Sequence, residues 1–132
     1  MARLALVIAK FNQEITGKME ESALRQAQRL HAEVVHTAQV PGSYDIPVVA
    51  KRLLDKEDVD AVVALGAIIK GGTMHDQLIA TALADALARL SLESGKPVTL
   101  GVMGPGITWK QAVERKETYA ERAVQAAVEL VG

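Results

Sequence analysis

Cysteine is absent from the 132 residues of this chain, which excludes disulfides, thiolate nucleophiles and cysteine-ligated metals. Aromatic residues are nearly as scarce: Phe11, Tyr44, Trp109 and Tyr119 are the whole set. The core must therefore be aliphatic, and an aromatic side chain outside it carries information. An excess of one charge sign is missing too. Fifteen basic and sixteen acidic side chains leave a formal net charge of −1, too weak a field to hold a nucleic acid or an anionic membrane surface. No run reaches the roughly 18 consecutive apolar residues of a membrane span. The apolar stretch at 4–9 is too short for an export signal, so a soluble, cytoplasmic protein is expected.

What is present is a rhythm. Apolar runs rich in valine, isoleucine or leucine fall at 3–9, 32–40, 61–65 and 98–103, separated by stretches of helical periodicity, as in parallel βαβ units. The runs at 4–8 and 61–65 are apolar on both faces, which suits strands covered from both sides. One domain, 1–132, is expected on length, as a three-layer αβα sandwich around a four-stranded parallel sheet. Ile15, Met19, Ala23, Leu24, Ala27 and Leu30 mark a first helix, and Val48, Val49, Arg52 and Leu53 a second, with Pro47 in its first turn. A third runs from about Met74 to Ser94 and is closed by Gly95 and Pro97. Thr108 with Gln111 three residues on is a capping box, opening a last helix that continues to Leu130 with room for a bend near Lys116. The third helix is apolar nearly all round, with Leu78, Ile79, Ala82, Leu83, Ala86, Leu87 and Leu90 on one face and Ala80, Ala84 and Ala88 on another. Such a helix usually buries two surfaces, which points to a homo-oligomer.

In an open parallel sheet, ligands bind beyond the carboxyl ends of the strands, and the unusual residues lie in those loops. Phe11-Asn12 follows the first strand, Pro41 through Pro47 the second, Lys70 through His75 the third, and Gly104-Pro105-Gly106 the fourth. The third loop says most. Its strand is expected to end at Gly66, Gly71-Gly72 to turn the backbone so that amides face outward, and Thr73 to cap the following helix. Unpaired N–H groups and the helix field together favour a phosphate there. His75 in the first turn is a proton carrier beside it.

At these residues the chain resembles the lumazine synthase family, over nearly its whole length. Phe11-Asn12, Pro41-Gly42-Ser43-Tyr44-Asp45-Ile46-Pro47 and Gly66 through His75 carry the likeness in the family's order, joined by Pro97 through Val102 and Glu114-Arg115 further on. The resemblance implies a flavodoxin-like fold and the condensation of 5-amino-6-ribitylaminouracil with dihydroxybutanone phosphate to 6,7-dimethyl-8-ribityllumazine. It also implies small-molecule substrates, no cofactor or metal, and a pentamer or a sixty-subunit shell. By the same resemblance the pyrimidine stacks on Phe11 beside Asn12 and Tyr44, Ser43 lets its backbone approach, and Asp45 accepts from ribityl hydroxyls. Ile68, Ile69 and Lys70 line the ring edge, Gly72 and Thr73 hold the phosphate, and Arg115 reaches it from a neighbouring subunit. Leu100 stands where many members place a phenylalanine beside the adjoining subunit's ligand, and Asp76 where an aromatic residue often follows the histidine. His75 is left for proton transfer.

Plainer readings stand beside these. Phe11 can fold onto the core, Gly71-Gly72 can be only a turn, Asp45 can cap the helix at Pro47, and Arg115 can pair with Glu114 or Glu117. A non-catalytic shell protein and a riboflavin synthase of the archaeal type are the rival functions; the second needs no phosphate loop.

Overall fold

The computed structural model describes residues 1–132. Strand β1 (Arg3–Ala9) leads to helix α1 (Gln13–Arg29), β2 (Glu33–Val40), a single helical turn at Ser43–Asp45 and α2 (Ile46–Leu54). The second half is β3 (Ala61–Ile69), α3 (His75–Ser94), β4 (Val98–Ile107) and α4 (Trp109–Val131). All four strands are parallel, in the order β2-β1-β3-β4. The two strands apolar on both faces are thus the central pair, and no side chain from Leu4 to Ala9 is more than 2 % exposed.

Alternation along these strands sorts the core into two slabs. Leu4, Leu6, Ile8, Val63 and Leu65 meet α1 and α4 through Met19, Ala23, Ala120 and Val124. Ala5, Val7, Val62 and Ala64 meet α2 and α3 through Ala50, Leu53, Leu83 and Leu87. This is the expected αβα sandwich. The expected caps form as well: Gln111 N–H donates to Thr108 Oγ1 at 3.2 Å and Thr108 N–H to Gln111 Oε1 at 3.0 Å, while Gly95 closes α3 with φ 72°. The bend allowed near Lys116 does not occur; α4 is one uninterrupted helix.

Two strands run further than expected. Pairing of β3 with β4 continues through Gly66↔Val102 and Ala67↔Met103 and resumes at Ile69↔Ile107, so Gly66 is no terminus. It is a point of close approach, because a Cβ there would lie 2.8 Å from Ser43 Oγ. Beyond Met103, two residues on β3 face four on β4, and the surplus forms an arch of Gly104-Pro105-Gly106. Gly104 has φ 108°, and a Cβ there would collide with Ile68 O. The three residues expected as a loop after the strand are therefore an arch inside it.

At the opposite end of the sheet, Asp60 accepts from Arg3 N at 2.8 Å and pairs with its guanidinium at 3.0 Å, tying the starts of β1 and β3. That hydrogen bonding holds the Asp60 carboxyl below the usual range. His36 meets Asp58 at 2.9 Å and holds that carboxyl low too. His31, just past α1, has φ 58°. Its N–H donates to Gln28 O and that of Ala32 to Ala27 O, a Schellman closure made with histidine where glycine is usual. A side chain in that conformation is strained by about 1–2 kcal/mol, partly offset by the greater unfolded-state freedom of glycine. His31→Gly is expected to raise stability by about 0.5 kcal/mol or more in urea unfolding; a loss would show that the imidazole makes a compensating contact.

Helix α3 buries only Leu83, Leu87 and Asp76. Leu78 is 68 % and Leu92 85 % exposed.

Candidate functional site

A cleft of about 510 Å³ opens at the carboxyl ends of the strands. One wall comes from the loops after β1 and β2, where Phe11 N–H donates to Pro41 O at 3.1 Å and Lys10 N–H to Val40 O at 2.8 Å. These bonds hold Phe11 and Tyr44 on the same rim, with Asn12 and Ser43 between them and the floor. Both rings are largely exposed, 70 % and 66 %, so Phe11 is not folded onto the core. Asn12 adopts φ 68° at the start of α1, and its Nδ2 donates to Ala67 O at 3.0 Å. It ties this wall to the end of β3.

The floor is β3 itself. Ile68 and Ile69, half-buried, present their edge to the cleft because the strand has not ended at Gly66. Across from the rings stand Gly71, Thr73, His75 and Asp76, with Ile79 one turn into α3. His75 opens α3 and is exposed on this wall. Ten of the residues in the expected loops and site thus converge on one hollow, among them Phe11, Tyr44, Thr73 and His75.

The cradle differs in detail from the expectation. Neither Gly71 nor Gly72 has a left-handed φ, so no special turn demands them; a Cβ on either would meet nothing within 4 Å. What they leave is bare backbone. The amides of Gly71, Gly72, Thr73 and Met74 donate to no other group of the chain, and such groups favour an anionic acceptor. Thr73 is not the cap of α3: Met74 holds that place, and the Thr73 hydroxyl accepts from His75 N at 3.2 Å. The reason is the helix start, one residue later than expected.

Five sequence-predicted residues lie off the cleft lining. Gly72 sits just outside it, and Lys70 is held by its N–H to Ile107 O at 2.7 Å with its side chain exposed. Asp45 turns back to accept from Gly42 N at 3.0 Å and faces a neighbouring hollow between α2 and α3. It makes no side-chain cap to α2, because its carboxylate is used by the turn before it. Leu100 lies in a separate groove beside Tyr119 and Arg122. Arg115 is exposed on α4, and the pairing open to it with Glu114 or Glu117 does not form. Asp76 is the residue that sequence reasoning passed over. An acid in a helix first turn beside a candidate base was the available signal, but its partner, Gly106, is thirty positions away.

A family model described as 6,7-dimethyl-8-ribityllumazine synthase matches residues 1–132. The chain is similar to proteins named 6,7-dimethyl-8-ribityllumazine synthase from two genera. It is 54 % identical to that of Pyrobaculum calidifontis over 130 residues, 98 % of this chain and 87 % of the relative. It is 52 % identical to that of Saccharolobus islandicus over 129 residues, 98 % of this chain and 84 % of the relative.

Proposed function

The chain belongs to the 6,7-dimethyl-8-ribityllumazine synthase family, and from that premise we propose that the cleft at the strand ends is where its reaction takes place. The enzyme is a transferase of riboflavin biosynthesis. It condenses 5-amino-6-(D-ribitylamino)uracil with 3,4-dihydroxy-2-butanone 4-phosphate to 6,7-dimethyl-8-ribityllumazine, releasing phosphate and water. One observation supports the assignment of the site above others: a single hollow has an exposed aromatic face on one wall and unpaired amides beside an imidazole on the other.

The pyrimidine stacks on Phe11, with Tyr44 on the same rim and the backbone of Ile68 and Ile69 along its edge. Asn12 and Ser43 shape the hollow beneath it. The phosphate of the second substrate rests on the amides from Gly71 to Met74, Gly72 and Thr73 included, with Lys70 adding positive charge at the mouth. That seat puts the ketone against the substrate's own amine, which attacks to form an imine. No protein nucleophile enters this step, so positioning supplies much of the rate. His75, beside the phosphate seat, moves the protons that imine formation, phosphate departure and ring closure require. Asp45, engaged with Gly42 N through one oxygen, accepts ribityl hydroxyls through the other.

Arg115 and Leu100 serve a neighbouring subunit in this reading. Both are exposed and away from their own cleft, and Val48, Leu78 and Leu92 leave an apolar surface on α2 and α3 of the kind that marks an interface. A ring of five, alone or closed into a larger shell, brings each Arg115 to the next subunit's phosphate. The compartment of this reading is the cytoplasm, where both substrates of the pathway step are small and soluble.

Mixing the protein with the two substrates and following lumazine absorbance tests the reading. Acceleration above the spontaneous condensation is expected; a rate equal to the spontaneous one would overturn it.

A further inference from the structure

Asp76 is the only ionisable side chain among the buried residues, 6 % exposed, and no cation faces it. Its Oδ2 accepts from Gly106 N at 2.9 Å, joining the first turn of α3 to the arch in β4. The next residue of β4 makes the companion bond: Ile107 O accepts from Lys70 N at 2.7 Å. The loop from Lys70 to Asp76 is thus clipped at both ends to two consecutive residues of β4. Between the clips lie the four unpaired amides and His75. Between the clips Gly71, Gly72, Thr73 and Met74 are exposed, and their only bonds are local ones into the first turn of α3, from His75 N to Thr73 Oγ1 and from Leu78 N to Met74 O, so the Asp76 bond is what ties that turn to β4.

We propose that Asp76 is a positioning residue whose bond to Gly106 closes the 70–76 loop against β4 and thereby sets the spacing between the phosphate-binding amides and His75. This rests on the reading of the cleft as the condensation site. A carboxylate suits the place because the unpaired N–H groups of a helix first turn favour negative charge, yet the clip itself needs only an acceptor. A neutral amide oxygen of the same length can fill that role, and it brings no negative charge near the phosphate. Displacement of a positioned group by an ångström can reduce rate by up to a hundredfold, so a freed loop is expected to show in both phosphate binding and turnover.

Asp76→Ala and Asp76→Asn separate the clip from general stability. Asp76→Ala is expected to raise KM for the butanone phosphate about tenfold and lower kcat about tenfold, with KM for the ribitylaminouracil within about twofold. Asp76→Asn, which keeps an acceptor, is expected to restore both constants to within about threefold of the unsubstituted enzyme. Hydrogen exchange at the Gly106 amide reads the clip without reference to activity: slow in the parent protein and in Asp76→Asn, at least about tenfold faster in Asp76→Ala. Slow exchange in the parent together with an unaltered phosphate KM in Asp76→Ala overturns the proposal. So does Asp76→Asn as impaired as Asp76→Ala, since the charge and not the bond would then matter. If Asp76→Ala fails to fold, parent and Asp76→Asn still decide it by the Gly106 exchange and the two KM values. A parent enzyme inactive in condensation with a protected Gly106 amide counts against the reading of the cleft, whereas an active parent with fast exchange there counts against the clip.

Discussion

The Arg115→Ala enzyme is expected to need roughly a hundredfold more butanone phosphate for half-maximal rate, the loss of a bidentate charge-assisted bond to a phosphate. Its KM for the ribitylaminouracil should stay within about twofold, because Phe11, Tyr44, Ile68 and Ile69 line the pyrimidine seat and Arg115 is not among the residues lining it. His75→Ala is expected to act on the other constant, lowering kcat about tenfold to a hundredfold with little change in either KM. The two defects should complement. Arg115 lies off the cleft of its own chain, so on the proposed ring an Arg115→Ala subunit with intact His75 is expected to be served by the arginine of a His75→Ala neighbour. Dissociating and reassociating the two variants together should recover activity that neither has alone. No recovery, with mixed rings verified by differential tagging, would place Arg115 on its own cleft or on none.

Gly101→Ala is expected to be among the most damaging single methyl additions in the fold. A Cβ at Gly101 would lie 2.8 Å from Ala64 O and 2.9 Å from Ala123 Cβ, contacts made by backbone and by a side chain with nowhere to rotate. At the same crossing the Thr99 hydroxyl donates to Ala123 O at 2.9 Å in a buried position, so α4 cannot slide away without losing a hydrogen bond. Overpacking of this kind destabilises by about 3 kcal/mol, which corresponds to a melting temperature lower by roughly 10 °C. Calorimetry checks it. A shift of only a degree or two would mean that α4 rides more loosely on β4 than the geometry shows.

The layered architecture was legible because it rests on period and punctuation. Runs apolar on both faces marked β1 and β3 as the buried pair, and Thr108 with Gln111 marked the start of α4 from side-chain chemistry alone. What stayed hidden depended on contacts between distant positions. Gly66 looked like a strand end, since a glycine near the end of an apolar run usually is one. Its reason is the Ser43 hydroxyl 2.8 Å from where a Cβ would be, a neighbour no local pattern reveals. The same holds for β4, whose arch exists only because Ile107 rejoins Ile69 after two surplus residues. At the site, the loops that meet were identified through the rule that ligands lie beyond strand ends. The sharing of labour inside them was not. Asn12 ties the walls together, Asp45 folds back on Gly42, and Asp76 reaches Gly106.

A crystal structure of the protein with the ribityllumazine product and inorganic phosphate tests the central claim most directly. The product ring is expected over Phe11, its edge along Ile68 and Ile69, with the phosphate on the amides of Gly71 to Met74 beside His75. A ring lodged instead in the hollow between α2 and α3, or a phosphate bound away from the 70–76 loop, would contradict it.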